Sequence, residues 1–188
     1  MLYVTLQNYW IINEIIFIQK IMNTVFLLLG GNLGDREYHL NKAIEHLKLI
    51  GCLIIKYSSI YETAAWGKTD EPSFLNQVIK VSTILTADTL MENLIRIEEE
   101  MGRVRTYKNA SRIIDIDILF YNEEVIDISN LTIPHPEITN RQFVLVPLNE
   151  IAPEFVHPIF LKSNSQLLKE CTDHLPVNLF QSKHPKHN

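Results

Sequence analysis

Apolar residues recur at two different spacings along this chain, and the two spacings predict strands and helices in turn. In four runs the apolar residues are continuous or alternate with polar ones, which is typical of buried strands. In two stretches between these runs the apolar residues lie three and four positions apart, which is typical of amphipathic helices. The strands are expected at residues 24–31, 52–63, 74–85 and 111–121, and the helices at 36–50 and 86–101. Further on, a short extended piece is expected at 123–128 and a late helix at 165–175.

This β-α-β-β-α-β order is typical of the ferredoxin-like arrangement. The predicted fold class is therefore α+β, with an antiparallel sheet covered on one face by two helices, plus a C-terminal extension. Asp35 is a plausible N-cap for the first helix, and Gly51 and Gly102 are stop signals for the two helices. The part that follows Leu131 reads as loop-rich, with five further prolines before residue 160.

Residues 22–180 are predicted to form a single domain, and 181–188 a disordered tail. The first 21 residues are apolar, but Asn13 and Glu14 interrupt them, and neither a basic start nor a cleavage site is present. We interpret them as an N-terminal extension that is not native, with Met22 as the natural start. An additional amphipathic helix packed on the domain remains the alternative.

Composition narrows the class of protein. The 188 residues are 46% hydrophobic and 21% charged, which excludes a disordered chain, and a net charge of -5 argues against a dedicated nucleic-acid binder. No uninterrupted membrane span is present, so no membrane partner is expected. Cys52 and Cys171 lack metal-binding spacing and indicate a reducing compartment, from which a cytoplasmic location is expected.

Two carboxylates lie within an otherwise apolar strand, in the stretch "SRIIDIDILFY". Asp115 and Asp117 are two residues apart, so their side chains emerge on one face, opposite a core-facing row of isoleucines. Their mutual repulsion favours a bound cation, and Mg²⁺ commonly takes one or two carboxylates together with phosphate oxygens. Solvated acids on an edge strand are the alternative.

Several cations precede this strand in "GRVRTYKNASR": Arg103, Arg105, Lys108 and Arg112. Guanidinium groups beside a two-acid metal site suit a polyphosphate, whereas the alternative is a solvated basic loop. Glu98 on the preceding helix is expected either to contact a ligand or to form a surface ion pair with Arg96 or Arg105.

Two loops offer further polar groups. "GGNLGD" lacks the ending of a phosphate-binding Walker sequence, so tight packing of strand against helix is expected there, with Asn32 offering side-chain hydrogen bonds. The loop "IPHPEITNRQFVLVPL" contains His135, Asn140 and Arg141, which suit closure over phosphates, although an ordinary surface loop is the alternative.

Aromatic side chains suggest a site for a flat ligand. Phe74 and Phe143 could stack on both faces of a heterocycle, with the Asn76 amide at its edge, and core packing is the alternative for both rings. No serine, cysteine or lysine lies in a recognisable nucleophile context, which disfavours covalent catalysis.

Taken together, these motifs resemble those of the 6-hydroxymethyl-7,8-dihydropterin pyrophosphokinase family of folate biosynthesis. The resemblance runs from about Asn23 to Pro158 and rests on "GGNLGD", "YETAAWG", "FLNQV", "IEEEMGRVR", "SRIIDIDILFY" and "LTIPHPEITNRQFVLVPLNEIAPE". It implies Mg-dependent transfer of pyrophosphate from ATP to the pterin hydroxymethyl group, with release of AMP. The implied substrates are ATP and the pterin, with no nucleic acid, and the implied state is a monomer or a weak homodimer.

The resemblance also implies residue roles. Asp115 and Asp117 would hold two Mg²⁺ ions, and with Arg103 and Arg112 they would form the catalytic set. Pterin contacts are implied for Thr63, Trp66, Phe74, Asn76 and Phe143. ATP contacts are implied for Glu98, Arg105, Arg112, Ile118, Thr132, His135 and Arg141.

The chain departs from the family pattern in three places. Ala64 and Ala65 replace a frequent proline pair, and Pro136 replaces an aromatic residue after the histidine. "NAS" at 109–111 replaces a tryptophan-containing stretch and makes that loop one residue shorter. These departures bear on loop rigidity and closure and leave the metal and phosphate residues in place.

Two other classes of function fit parts of the pattern. A ferredoxin-like RNA-binding module would need exposed aromatic residues on central strands and a basic sheet face. A two-metal phosphohydrolase would need a site open to water, which the aromatic pair argues against.

Overall fold

A computed structural model describes residues 22–64, 72–103 and 111–182 of the chain. The main sheet contains β1 (Asn23–Gly31), β2 (Leu53–Tyr57), β3 (Tyr61–Thr63), β4 (Phe74–Thr83), β5 (Asp115–Tyr121) and β8 (Val177–Leu179). A separate two-stranded sheet contains β6 (Ile126–Ile128) and β7 (Leu131–Ile133). The helices are α1 (Arg36–Leu49), α2 (Ala87–Glu100), α3 (Gln142–Ile151) and α4 (Asn164–Glu170), with a 3₁₀ turn at Ile138–Asn140.

The main sheet is antiparallel throughout. Its strands follow the order β5-β1-β4-β3-β8, and β2 also pairs with β4 beside β3. The predicted ferredoxin-like α+β fold is therefore confirmed. The single strand predicted at 52–63 is two strands that are interrupted at Ser58. The Ser58 N–H donates to the Val78 carbonyl, and the Ser58 hydroxyl, rather than a main-chain carbonyl, accepts the Val78 N–H.

Helices α1 and α2 cover one face of the sheet, as their spacing predicts. Leu40, Ala43 and Leu47 of α1 and Leu90 and Leu94 of α2 are buried there. The Asp35 side chain caps α1 by accepting from the N–H of Tyr38 at 3.0 Å, as expected. This core also receives Ile116 and Ile118 from the inward side of β5, together with Ile114 just before the strand.

The C-terminal extension covers the opposite face and is more ordered than the loop-rich interpretation suggested. Val144, Leu145 and Leu148 of α3 and Leu167 of α4 bury a second core against Phe26, Leu28, Val78 and Phe120 of the sheet. Because both faces are covered within the described ranges, the open sheet surface that an RNA-binding module needs is missing there. No helix among the described residues is long and apolar enough to cross a membrane.

Candidate active site

The acidic strand β5 supplies the first part of the site. Asp115 and Asp117 lie on the face opposite the buried isoleucine row, as predicted, and pair in register with Gly30 and Leu28 of β1. Leu28 belongs to the second core, so the carboxylates share a face with the C-terminal helices. Neither is a freely solvated surface acid, since the Asp115 side chain is only 14% exposed and Asp117 is partly buried.

Two arginines hold the Asp115 carboxylate between them. Arg103 Nη1 contacts Asp115 Oδ1, and Arg112 Nη2 lies 2.6 Å from Asp115 Oδ2. The cations that flank β5 in sequence therefore meet its first carboxylate in space, as the polyphosphate hypothesis requires.

Glu98 is a buried member of the same network. Its Oε1 lies 2.5 Å from Arg103 Nη1 and accepts the main-chain N–H of Ile116 at 2.8 Å. The expected surface location of Glu98 is wrong, because its side chain is 4% exposed and pairs with Arg103. Arg105, one of the two partners expected for Glu98, lies outside the described residues. Glu98 thus ties α2 to β5 and fixes the direction of Arg103.

Asp117 experiences the strongest electrostatic perturbation at the site. Its burial and the neighbouring Asp115 carboxylate raise the pKa of Asp117 to about 7, although Arg112 and Arg103 oppose the shift. Among the described residues, the positive charge near Asp117 does not offset its burial and the neighbouring carboxylate. A cation bound between them would supply the missing charge.

The glycine loop packs against the segment that leads into β5. A Cβ added to Gly31 would lie 2.2 Å from the carbonyl oxygen of Ile113, so the two main chains approach too closely for any side chain. Asn32 then links three segments: its Oδ1 accepts the N–H of Arg112, and its Nδ2 donates to Ser111 Oγ and to the Pro72 carbonyl. The predicted Asn32 hydrogen bonds are confirmed, but the tight contact at Gly31 is with the chain before β5.

Phe74, Asn76 and Thr63 form one wall beside this network. Thr63 pairs with Phe74 across β3 and β4, and Asn76 Nδ2 donates to Thr63 Oγ1 at 3.0 Å. Asn76 and Asp115 both pair in register with Gly30. A Cβ added to Gly30 would lie 3.0 Å from Asn76 Oδ1, so the Asn76 amide lies close to the position that a side chain at residue 30 would occupy. The Arg112 guanidinium lies over the Phe74 ring, 5.3 Å from its centroid.

His135, Arg141 and Phe143 form a second wall at the start of α3. The His135 main-chain N–H donates to the Leu119 carbonyl at 3.0 Å, which attaches this loop to β5. Burial, with a further contribution from Arg141, lowers the pKa of His135, so its ring is neutral at neutral pH. The Arg141 guanidinium lies 5.6 Å from the centroid of the Phe143 ring.

Four other residues were predicted to contact a substrate: Ile118, Thr132, Trp66 and Arg105. The Ile118 side chain is buried in the first core, which leaves only its main chain for a ligand. Thr132 lies on β7, exposed, with its hydroxyl 3.3 Å from Asp127 Oδ1. Trp66 and Arg105 lie outside the described residues.

The donor set at this site suits a hard divalent cation that shares its coordination with a substrate. Two carboxylates on one strand face match the one or two protein ligands that Mg²⁺ usually takes, with phosphate oxygens and water completing its shell. Within the described ranges, no group of three or more His, Cys, Asp or Glu side chains forms an all-protein metal site. The residues therefore fit magnesium delivered with a nucleotide better than a structural zinc.

Comparison with known families identifies the group of proteins to which these features belong. The model of the 7,8-dihydro-6-hydroxymethylpterin-pyrophosphokinase family matches residues 26–153. The chain belongs to this family. It therefore transfers pyrophosphate from ATP to 6-hydroxymethyl-7,8-dihydropterin in folate biosynthesis.

Similar curated proteins agree. A 2-amino-4-hydroxy-6-hydroxymethyldihydropteridine pyrophosphokinase of Aquifex aeolicus is 42% identical over 151 residues, which cover 80% of this chain and 94% of that protein. Its counterpart in Haemophilus influenzae is 39% identical and is covered over 99% of its length. A folic acid synthesis protein of Pneumocystis carinii is 39% identical, and there the match covers 80% of this chain but 20% of the larger protein.

Solved structures support the fold. Wild-type Plasmodium falciparum HPPK-DHPS with STZ-DHP superposes with a TM-score of 0.64 at 19% identity, over 79% of this chain and 43% of that chain. The triple-mutant form with STZ-DHP gives a TM-score of 0.65. At this level of identity the likeness concerns the fold alone.

Proposed function

We propose that pyrophosphate transfer takes place on the sheet face that carries Asp115 and Asp117, in the space between the wall of Phe74 and the wall of Phe143. One observation carries this assignment. Two guanidinium groups suited to phosphate, those of Arg103 and Arg112, contact Asp115, and Asp115 is aligned with Asn76 across Gly30. Charge for the triphosphate and surface for the pterin thus lie next to each other.

In this proposal Asp115 and Asp117 hold two Mg²⁺ ions together with the ATP phosphates. The two carboxylates on one strand face support the assignment, because a cation bound between them would favour their ionised forms. When bound, magnesium neutralises the transferred phosphates and makes the pterin hydroxyl more acidic. Dependence of turnover on Mg²⁺ follows.

Arg103 and Arg112 bind and orient the transferred phosphates. Arg103 is fixed in direction by Glu98, so it serves as a stationary donor. Arg112 lies between Asp115 and the Phe74 ring, at the boundary of the metal and pterin subsites. From that position its guanidinium stabilises charge on the group in transit more than it binds either substrate alone.

The pterin occupies the space between the two walls, stacked on Phe74 and Phe143. Its entry requires the Arg112 and Arg141 guanidinium groups to turn away from those ring faces towards the phosphates of ATP. Asn76 and Thr63, which already bond each other, present polar groups to the edge of the heterocycle. Trp66 is a further proposed pterin contact.

ATP is held by the loop before α3 and by the acidic strand. His135 and Arg141 contact its phosphates, and the neutral His135 ring can donate or accept without adding a buried charge. Thr132, the Ile118 main chain and Arg105 are the remaining proposed contacts, and Glu98 acts near the nucleotide through Arg103.

Analysis of the nucleotide product tests this function. The protein is incubated with ATP, Mg²⁺ and the reduced hydroxymethylpterin, and nucleotides are separated by chromatography. We expect AMP and the pterin diphosphate in equal amounts, with little product when EDTA replaces Mg²⁺. Formation of ADP, or of AMP without the pterin, would contradict the proposal.

A further inference from the structure

The chain beyond the family match contacts both walls of the proposed pterin site. The family model ends at residue 153, whereas residues 173–180 run from the start of α3 to the outer side of β3. This segment, the C-terminal strap, begins at Asp173 and ends at Phe180. It makes separate contacts at its two ends.

Asp173 caps helix α3 from outside the helix. Its Oδ2 accepts the N–H of Gln142, the first residue of α3, at 2.9 Å, while its Oδ1 accepts the N–H of Leu175 at 3.0 Å. Arg141 is the N-cap position but provides no side-chain hydrogen bond to the helix. Asp173 therefore supplies the acceptor and the negative charge that the N terminus of α3 lacks.

The first turn of α3 depends on this contact more than an ordinary helix start would. Pro147 has no N–H, so the Phe143 carbonyl, four residues earlier, lacks its usual helical donor. The turn weakened in this way carries Phe143 and adjoins Arg141. The Asp173 carboxylate, which belongs to the strap, holds this turn at its N-terminal end.

The far end of the strap supports the opposite wall. Strand β8 pairs with β3 so that Val177 is the partner of Thr63, and the Phe180 N–H donates to the Ile60 carbonyl at 2.9 Å. The Phe180 ring lies 5.9 Å from the Arg36 guanidinium.

Arg36 in turn joins β3 to the beginning of β4. Its Nη1 lies 2.7 Å from Glu62 Oε1 and donates to the Ser73 carbonyl at 2.8 Å. Glu62 and Ser73 are the immediate neighbours of Thr63 and Phe74. Hydrogen bonds from the Ser73 and Arg36 side chains lower the pKa of Glu62, which keeps it ionised in this arrangement.

We propose that the C-terminal strap fixes the separation of the two pterin-binding walls, with Asp173 and Phe180 as positioning residues. Asp173 holds the wall of Phe143 and Arg141, and Phe180 holds the wall of Thr63 and Phe74 through Arg36. This inference rests on the proposed function, because it takes Phe74 and Phe143 as the pterin walls.

Steady-state kinetics separate this role from a purely structural one. Asp173→Ala is expected to raise KM for both the pterin and ATP by roughly fivefold, because it loosens a helix start that carries residues for both substrates. Phe180→Ala is expected to raise only the pterin KM. Asp173→Asn and Phe180→Tyr, which keep the acceptor and the ring, are expected to retain most of the affinity.

Exposed neighbours in the strap serve as matched controls: His174→Ala and Leu179→Ala should leave both KM values unchanged. Melting temperatures are recorded for every variant. A lower melting temperature with wild-type KM values in Asp173→Ala and Phe180→Ala would reduce the strap to a stabilising element and overturn the inference. A rise in ATP KM equal to the pterin effect in Phe180→Ala would also overturn it.

Phe143→Ala separates failure of the inference from failure of the proposed function. If Phe143→Ala leaves the pterin KM unchanged, the wall assignment is wrong and the strap inference fails with it. If Phe143→Ala raises the pterin KM and the strap variants do not, the proposed function stands and the strap inference is wrong.

Discussion

At the scale of single residues, the strand face of a polar side chain was easier to predict from the sequence than the residues that this side chain contacts. The alternation around Asp115 and Asp117 predicts which face they share, because side chains on a strand alternate strictly. Glu98 shows the limit. Its place next to Ile97 on a helix gives no indication that it is buried, since burial depends on Arg103 and the Ile116 N–H, which reach it from other elements.

Arg112 is expected to matter for turnover more than for binding. In Arg112→Ala, kcat should fall by roughly 100-fold or more, because a preorganised donor to the transferred group is lost. The KM for ATP should change little, because Arg103 and the loop before α3 remain. Arg96→Ala removes an exposed arginine of α2 and is the matched control. Single-turnover pyrophosphate transfer at the wild-type rate in Arg112→Ala would remove Arg112 from the catalytic set.

The pKa of Asp117 predicts how pH affects stability in the absence of metal. An aspartate in an unfolded chain has a pKa of about 4, whereas Asp117 in the folded protein has a pKa of about 7. The folded state therefore holds this proton more tightly, and its free energy of unfolding decreases as pH rises from the lower value through the higher one.

Asp117→Asn removes this ionisation. In EDTA, the variant should be more stable than the wild type at pH 8, by on the order of 4 kcal/mol for a pKa difference of about three units, and the difference should shrink by pH 5. Urea unfolding of both proteins at the two pH values measures this difference in the free energy of unfolding. A wild type that is the more stable protein at pH 8 would show that Asp117 is not destabilised by its surroundings.

At the scale of elements, the strongly periodic segments were predicted and the irregular ones were not. The stripes of α1 and α2 place the same residues in the core as their spacing predicts. Helix α3 has an apolar spacing too, at Val144, Leu145, Leu148 and Ile151, but Pro147 and the neighbouring prolines favoured a loop. Packing against Phe26 and Phe120 outweighs the missing hydrogen bond at Pro147.

Substitution of Gly31 tests the close contact between the end of β1 and the residues that precede β5. Gly31→Ala should destabilise the protein by about 2 to 3 kcal/mol, because the new methyl group meets main chain that cannot rotate away. It should also lower kcat, since Arg112 adjoins the displaced Ile113. Thermal unfolding and the AMP assay measure the two effects.

Gly51→Ala is the matched control for glycine substitution. Gly51 has a φ of +89° and open space around its Cβ position, so the variant should lose only about 1 kcal/mol from backbone strain. Equal stability losses in the two variants would mean that the close approach at Gly31 relaxes without consequence.

At the scale of the whole molecule, the fold places sequence-distant groups on one sheet face. The antiparallel order brings β5 and β4 to either side of β1, which aligns Asp115, Gly30 and Asn76. The sequence order predicts this neighbourhood once the ferredoxin-like arrangement is assumed. It does not predict that the C-terminal extension covers the same face, because the apolar spacing of α3 does not indicate which surface the helix packs against.

Residues 22–180 are proposed to be sufficient for folding and catalysis. Among the described residues, the buried residues of the first core begin at Val25. A chain that starts at Met22 should therefore have the melting temperature and kcat of the full chain, as measured by calorimetry and by AMP formation. A melting temperature lowered by several degrees would assign a structural role to residues 1–21.

The central claim is that Asp115 and Asp117 hold the metal needed for pyrophosphate transfer. It is tested most directly by AMP formation in Asp117→Ala over a range of Mg²⁺ concentrations, with the exposed-acid variant Asp88→Asn as the control. We predict that Asp117→Ala keeps its fold by circular dichroism but forms no measurable AMP at any Mg²⁺ concentration, while Asp88→Asn matches the wild type. Wild-type rates and an unchanged Mg²⁺ dependence in Asp117→Ala would contradict the account.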